Sequence, residues 1–200
     1  MATISSLPAR CSAMNPFEAI RGRARRLLTD DRGVSGVEFA FVFPLMLLLL
    51  VGMLETNEAL TVHRKLLQVS STVTDLIAQQ SLISSAQVDL TLSGAASMMS
   101  PYDTSSLKIV LSVINVSASK QTIAWSRGYQ TAAETAGSVA SFSVPAALAV
   151  VGVQTVAVKV NYSFASPFSS LFAVFFGTNG YGMQDFMYER PRLGDSIGLN

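Results

Sequence analysis

Residues 30–50 read DDRGVSGVEFAFVFPLMLLLL, a stretch that changes from charged to wholly apolar after Glu38. From Phe39 to Leu54, sixteen consecutive residues carry no charge. With residues 34–38 included the segment has 21 residues, and as a helix it would be about 31 Å long, close to the thickness of the hydrocarbon core of a bilayer. We therefore expect residues 34–54 to form a transmembrane helix.

The residues before this segment are rich in arginine. Residues 1–33 hold six arginines against three acids, a net charge of +3, whereas residues 34–200 have a net charge of −2. A basic segment before an apolar run orients the run with its N-terminus in the cytoplasm. We expect residues 1–33 to be a cytoplasmic basic leader and the chain after residue 54 to lie outside. The folded part is not basic enough to suggest a nucleic-acid partner.

A cleaved secretory signal peptide is the alternative explanation of the apolar run. The run is somewhat long for the core of such a peptide, and LETNEA at residues 54–59 lacks a clean small-residue cleavage site. A retained membrane anchor is therefore favoured.

A helical pattern continues beyond the membrane segment. Apolar residues recur at three- and four-residue steps with polar residues between them: Leu60, Leu66, Leu67, Val73, Leu76 and Ile77. One long helix is predicted from Val34 to Gln80, transmembrane at first and then an amphipathic stalk. A second helix is expected over Ser85–Met99, ended by Pro101. Residues 55–100 are thus assigned to the stalk and the second helix.

Residues 101–200 are expected to form a small α+β head with an antiparallel sheet, so the fold class is α+β. Strands are predicted at three well-patterned and two weaker places: Leu107–Val116, Thr122–Trp125, Gln154–Phe164, Phe168–Phe176 and Met183–Tyr188. A turn is expected at 117–121, and residues 127–144 suit a helix or a loop. The apolar pieces at 144–153 and 168–176 are too short to span a bilayer and are expected to be core.

The chain offers little chemistry for catalysis. His63 is the only histidine and Cys11 the only cysteine, and the phosphate-binding, dinucleotide-binding and serine-hydrolase motifs are absent. A single cysteine also excludes an intramolecular disulfide, so a head outside the cytoplasm must be stabilised by packing. We expect no enzyme activity, no metal, no cofactor and no small-molecule substrate.

Glu38, at the entrance to the apolar run, has two ordinary explanations. Ser35 and Glu38 fit a capping box, in which their side chains accept from free backbone N–H groups at a helix start, and an acid there also suits the helix dipole. Alternatively, Glu38 marks the membrane boundary, where a charge costs less than at the bilayer centre.

A third explanation comes from GVSGVEF at residues 33–39, a glycine, four small or apolar residues, a glutamate and then an apolar run. The pattern resembles the processing signal of type IV prepilins, which prepilin peptidase cuts on the cytoplasmic face directly after the glycine. The resemblance implies a cut between Gly33 and Val34, with Glu38 as the fifth residue of the mature chain. It also implies that Glu38 pairs with the terminal amine of a neighbouring subunit during assembly. Such a pair is stabilising in low dielectric only when both charges are satisfied together.

The resemblance narrows to the TadE/TadG-like family, pseudopilin-type proteins of the tight-adherence (Flp pilus) system. It rests on EFA at 38–40, PLMLLL at 44–49 and GMLE at 52–55. Three later segments are also similar: VTDLIAQ at 73–79, MSPY at 99–102 and YERPR at 188–192. No von Willebrand-type domain follows, and 200 residues are too few for one. A short TadE-like member is therefore favoured over a long TadG-like one.

Pro44 fits the same resemblance without deciding it. Proline removes one backbone hydrogen bond and tends to kink a membrane helix where neighbouring groups compensate for the loss. A kinked anchor with no role in assembly explains Pro44 equally well.

The sequence thus predicts a single-pass pseudopilin of the bacterial inner membrane, which supports assembly of a Flp-type pilus or secretion filament. Its expected partners are the membrane, prepilin peptidase and other pilus subunits, and its head is expected in the periplasm or, within a filament, outside the cell. Two alternatives remain open. One is an unprocessed single-pass envelope protein whose periplasmic head binds a partner. The other is a membrane-tethered enzyme, disfavoured by the missing catalytic cluster.

Overall fold

The computed structural model describes residues 32–142, 144–166, 177 and 180–200. The chain divides into two compact units, residues 1–50 and residues 51–200. Most of the predicted leader lies outside the described residues, as does the weak strand prediction at Phe168–Phe176. The described part has the predicted α+β architecture, a long N-terminal helix followed by a small antiparallel sheet.

Helix α1 runs from Arg32 to Ala78 and includes Pro44. These bounds differ by two residues at each end from the predicted Val34–Gln80. Because α1 already includes Arg32, Ser35 lies inside the helix and is not its N-cap. The capping-box explanation of Glu38 is therefore wrong for the intact chain.

Helix α2 comprises Ser85–Ser97 and confirms the second predicted helix. Its start is a true capping box. The Ser84 hydroxyl accepts from the Gln87 backbone N–H at 3.3 Å, and the Gln87 side chain accepts from the Ser84 N–H at 3.1 Å. Its buried residues recur at helical spacing: Val88, Leu92, Ala95 and Ala96. The last predicted residues, Met98 and Met99, lie instead in a turn before Pro101.

Four long antiparallel strands form the main sheet: β2, Lys108–Val116; β3, Gln121–Tyr129; β4, Gln154–Phe164; and β5, Tyr181–Glu189. Their order across the sheet is β3-β2-β4-β5. A separate parallel pair joins the two-residue strands β1, Leu82–Ile83, and β6, Gly198–Leu199. Two residues are too few for a pattern of alternation, so sequence reasoning missed this pair.

Strand β3 corrects one prediction. Residues 127–144 were expected to be helix or loop, yet Arg127–Tyr129 continue β3 and pair with Leu111, Val110 and Ile109 of β2. The register shifts between Val113 and Ile114, which marks a bulge. A bulge interrupts the two-residue alternation of apolar and polar side chains. The sequence pattern therefore stops although the strand continues.

The main core lies between the second half of α1 and one face of the sheet. On α1 the fully buried apolar residues follow the three- and four-residue spacing of one helix face: Val62, Leu66, Val69, Val73 and Ile77. They share a cluster with alternate residues of β2 and β4, namely Ile109, Leu111, Val113, Val156, Val158 and Val160. Of the apolar residues that predicted the stalk, three are on this face and three are exposed: Leu60, Leu67 and Leu76.

A smaller cluster covers part of the other face of the sheet. It contains Ile114, Ile123, Phe142, Val144 and Ala157, with Leu148, Ala149 and Tyr188 against it. The predicted core piece at 144–153 is therefore only partly right. Val150 and Val151 are exposed, because the chain turns away before it enters β4.

The C-terminal residues complete the main core. Ile197 is 1% exposed, and its carbonyl accepts from the indole N–H of Trp125 at 2.8 Å. The N–H of Asn200 donates to the Ile83 carbonyl at 2.9 Å, and the Asn200 carbonyl accepts from Ser85 at 3.0 Å. Segments far apart in sequence thus close the region where α1 ends and α2 begins.

Leu66→Ala tests the importance of the packed face of α1. Leu66 is 0% exposed, so its truncation leaves a cavity and should lower the free energy of unfolding by about 2–5 kcal/mol. Leu67→Ala is the matched control, because Leu67 is 37% exposed and should cost less than about 1 kcal/mol. Denaturant titration of the full chain in micelles measures both, and equal losses would contradict the described packing.

Candidate functional site

The first half of α1 has no protein cover. Every residue from Val34 to Leu50 is exposed, with exposed fractions as high as 78% at Phe41. The helix contains an 18-residue stretch with a mean hydropathy of 2.4, none of it buried. An apolar surface of this size normally meets a membrane or another protein. Among the described residues, α1 is the one helix long and apolar enough to cross a membrane.

The predicted processing site lies in the first turns of α1. Gly33 and Val34 are consecutive residues of the helix, and Val34 is 54% exposed. Glu38 is also exposed and follows Val34 by four residues, so the two share one helix face. The structure therefore brings Val34 and Glu38 together on a free surface.

The same part of α1 has a second, different face. Gly36, Ala40 and Pro44 follow one another at four-residue steps. They therefore form a strip of two small residues and a proline along one face of the helix. A Cβ added to Gly36 would meet nothing within 4 Å. On a helix of 3.6 residues per turn, Glu38 lies about 160° around the axis from Gly36. The strip and the carboxylate therefore face in nearly opposite directions.

Pro44 lies within α1, which continues on both sides of it. Proline has no N–H, so the Ala40 carbonyl lacks its usual helical donor. The predicted kink at Pro44 remains a prediction.

Polar contacts fix the second half of α1 to the head. The ammonium of Lys65 donates to the carbonyls of Met98 and Ser100, at 3.1 and 2.7 Å. The hydroxyl of Ser70 donates to Asp185 on β5. His63, between these anchors and the apolar run, is exposed.

The end of α1 is held by an ion-pair network that sequence reasoning missed. Arg192 pairs with Asp75 of α1 and, at 2.7 Å, with Glu189, while its backbone N–H donates to the Ala78 carbonyl at 2.8 Å. The hydrogen bond and charge of Glu189, and then the charge of Asp75, raise the pKa of Arg192. The network joins two segments singled out in the sequence, VTDLIAQ at 73–79 and YERPR at 188–192. Both segments thus secure α1 to the head.

Glu55 is a buried acid directly after the apolar run. Its exposed fraction is 6%, and its Oε1 accepts from the Ser166 hydroxyl. Its Oε2 is buried and has no partner among the described residues. A cavity of about 290 Å³ opens beside it, lined also by Thr56, Ala59, Tyr181 and Met183. The sequence marks Glu55 as a boundary charge but gives no sign of its burial.

The described residues contain no group of three or more His, Cys, Asp or Glu side chains that could hold a metal ion.

Comparison with known proteins bears on the helix that carries these features. The family model described as TadE-like protein matches residues 33–72. The N-terminal helix is TadE-like. The match begins at Gly33 and lies wholly within α1. No curated protein and no solved structure matches the chain.

The exposed apolar half of the TadE-like helix can be tested as a membrane segment with Met46→Arg. Met46 is 62% exposed near the middle of residues 34–54, where an arginine costs about 2.5–3.5 kcal/mol on the insertion scale. Carbonate extraction of membranes should then release a large fraction of the variant. Leu60→Arg, at a position that is 50% exposed but beyond the apolar run, should stay in the membrane like the unchanged protein. Full retention of Met46→Arg would contradict the assignment.

Proposed function

We propose that this chain is a minor pilin-like pseudopilin that supports assembly of a Flp-type pilus or secretion filament. The observation that carries the proposal is the TadE-like match over α1, a helix that is uncovered in its first half and packed into the head in its second. Residues 34–54 anchor the protein in the bacterial inner membrane. The N-terminus is cytoplasmic and the head is periplasmic, in keeping with the basic leader.

Prepilin peptidase removes residues 1–33 by cutting between Gly33 and Val34. The family match starts at Gly33, and the free surface around Val34 supports the accessibility of the cut. The cut leaves an α-ammonium on Val34 and removes the arginine-rich leader, which otherwise ties the chain to the cytoplasmic face. The processed helix is then free to move along the membrane normal during assembly.

Two faces of the membrane segment take different neighbours. Small residues at Gly36 and Ala40 let a second helix approach closely, whereas Glu38, about 160° away around the axis, meets the terminal ammonium of another subunit. Because Val34 shares a helix face with Glu38, their pairing between subunits uses one face of each helix and leaves the strip at Gly36 and Ala40 for a second neighbour. A subunit that uses both faces has two neighbours, which supports growth beyond a pair.

Glu38 and Val34 also lie one turn apart within the same helix. After the cut, the Val34 ammonium can pair with its own Glu38 or with that of a neighbour. Pairing between subunits satisfies both charges inside the membrane and fixes the axial register of the two helices.

Processing is tested by the intact mass of the protein from cells with and without prepilin peptidase. The mass should be lower in peptidase-containing cells by that of residues 1–33, and Gly33→Leu should keep the full-length mass in both. Gly36→Ala, at the other glycine of the segment, is the control that should be cut normally. Identical full-length masses in both strains would refute processing and favour the unprocessed envelope protein.

The pairing role of Glu38 is tested with Glu38→Ala. We expect normal cutting and roughly tenfold less protein in the sheared filament fraction, because an ammonium without its partner inside the membrane is costly. Glu58→Ala removes the same charge beyond the apolar run and should assemble like the unchanged protein. Normal assembly of Glu38→Ala would eliminate the pairing role without affecting the cut site.

A further inference from the structure

Glu55 has hydrogen-bonding capacity that the described residues leave unused. It is the first charged residue after Leu54, and 6% of its surface is exposed. Ser166 donates to Oε1, while Oε2 is buried without a donor among the described residues. A buried carboxylate oxygen without a donor is unfavourable, so a ligand that brings an N–H group to Oε2 would be stabilised.

The cavity beside Glu55 restricts the chemistry of that ligand. Its volume is about 290 Å³, and its other lining residues include the apolar Ala59 and Met183. The hydroxyl of Thr56 already donates to the Gly52 carbonyl at 2.8 Å. The cavity thus combines a carboxylate acceptor with apolar walls, an arrangement suited to a small cationic group attached to an apolar body.

The neighbouring part of α1 supplies no cation of its own. Residues 51–62 contain two acids, Glu55 and Glu58, and no Lys, Arg or His. The next bases along the helix are His63 and Arg64, both exposed, and Lys65, which donates to the Met98 and Ser100 carbonyls. The local charge therefore favours a cation that comes from outside this stretch of helix.

The position of Glu55 indicates the source of that cation. Residues 34–54 as a helix are about 31 Å long, which matches the hydrocarbon core. Glu55 then lies at the level of the lipid headgroups, where primary ammonium groups on apolar molecules are abundant. We propose that the Glu55 cavity binds the headgroup of a lipid with a primary ammonium, such as phosphatidylethanolamine. The inference requires residues 34–54 to span the membrane but is independent of cutting after Gly33.

The test compares two lipids that differ only at the nitrogen. Full-length protein is reconstituted with equal amounts of phosphatidylethanolamine and phosphatidylcholine of the same acyl chains, and native mass spectrometry counts the lipids retained. Phosphatidylcholine keeps the positive charge but has no N–H donor. We expect roughly tenfold greater retention of phosphatidylethanolamine, the scale of one charge-assisted hydrogen bond.

Glu55→Gln should reduce the retention ratio of phosphatidylethanolamine to phosphatidylcholine to about one, because it removes the negative charge. The glutamine keeps an oxygen that can accept from Ser166. Glu58→Gln is the matched control, an equal loss of charge one turn away, and should retain the preference. Ala59→Leu is a second variant that leaves Glu55 unchanged and fills the cavity. It should also lose the preference, and circular dichroism establishes that each variant is folded. Because either variant alone is informative, failure of one to fold leaves the test intact.

Three results would overturn the proposal. The first is equal retention of the two lipids by the unchanged protein. The second is a preference that survives in either variant when that variant is folded. The third is a Glu55-dependent association of two protein chains in bilayers free of phosphatidylethanolamine, which would assign the cavity to a protein amine. The mass measurement for processing is unaffected by any of these outcomes, so the two proposals fail separately.

Discussion

The packing of the second half of α1 across β2 and β4 is the interaction on which the rest of the head depends. Fully buried residues from Val62 to Ile77 meet alternate residues of both central strands. Without this helix, one face of the sheet would expose a row of valines, isoleucines and leucines to water. The same helix carries no charge from Phe39 to Leu54, and its residues 34–50 are exposed in the part of the chain that the structure describes. One helix therefore has two surroundings: its first half is exposed and its second half packs on the sheet. Its sequence is accordingly apolar first and amphipathic afterwards.

Polar contacts set the position of α1, and apolar contacts supply most of its burial. Lys65, Ser70 and Asp75 lie on successive turns, and each meets a different part of the head. Since these contacts involve a turn, a strand and the C-terminal segment, they restrict sliding and rotation of the helix on the sheet. They also give a structural role to the three segments beyond the apolar run that the sequence singled out.

The sequence predicted the elements whose patterns are long and regular. The bounds of β4 agree fully with the prediction, and α1 differs by two residues at each end. Prediction failed where the pattern was interrupted or short, at the bulge between β2 and β3 and at the two-residue strands β1 and β6. Gly33, Val34 and Glu38 were selected through the resemblance of GVSGVEF to a prepilin signal, and Pro44 through its place in the apolar run; these positions lie close together in the chain. The environment of Glu55 could not be predicted, since it depends on Ser166, Tyr181 and Met183, more than 100 residues away.

The pairing of β1 with β6 has a consequence for the order in which the head can form. Ile197 fills the core beside Trp125, and Asn200 bonds to residues that follow α1. These contacts join segments separated by more than 70 residues along the chain, so a growing chain contains α1 and most of the sheet before it contains the residues that close them. During synthesis these contacts therefore form only after residues 197–200 have emerged. Closure of the core beside Trp125 is thus a late step, made after α1 and the sheet are available to pack.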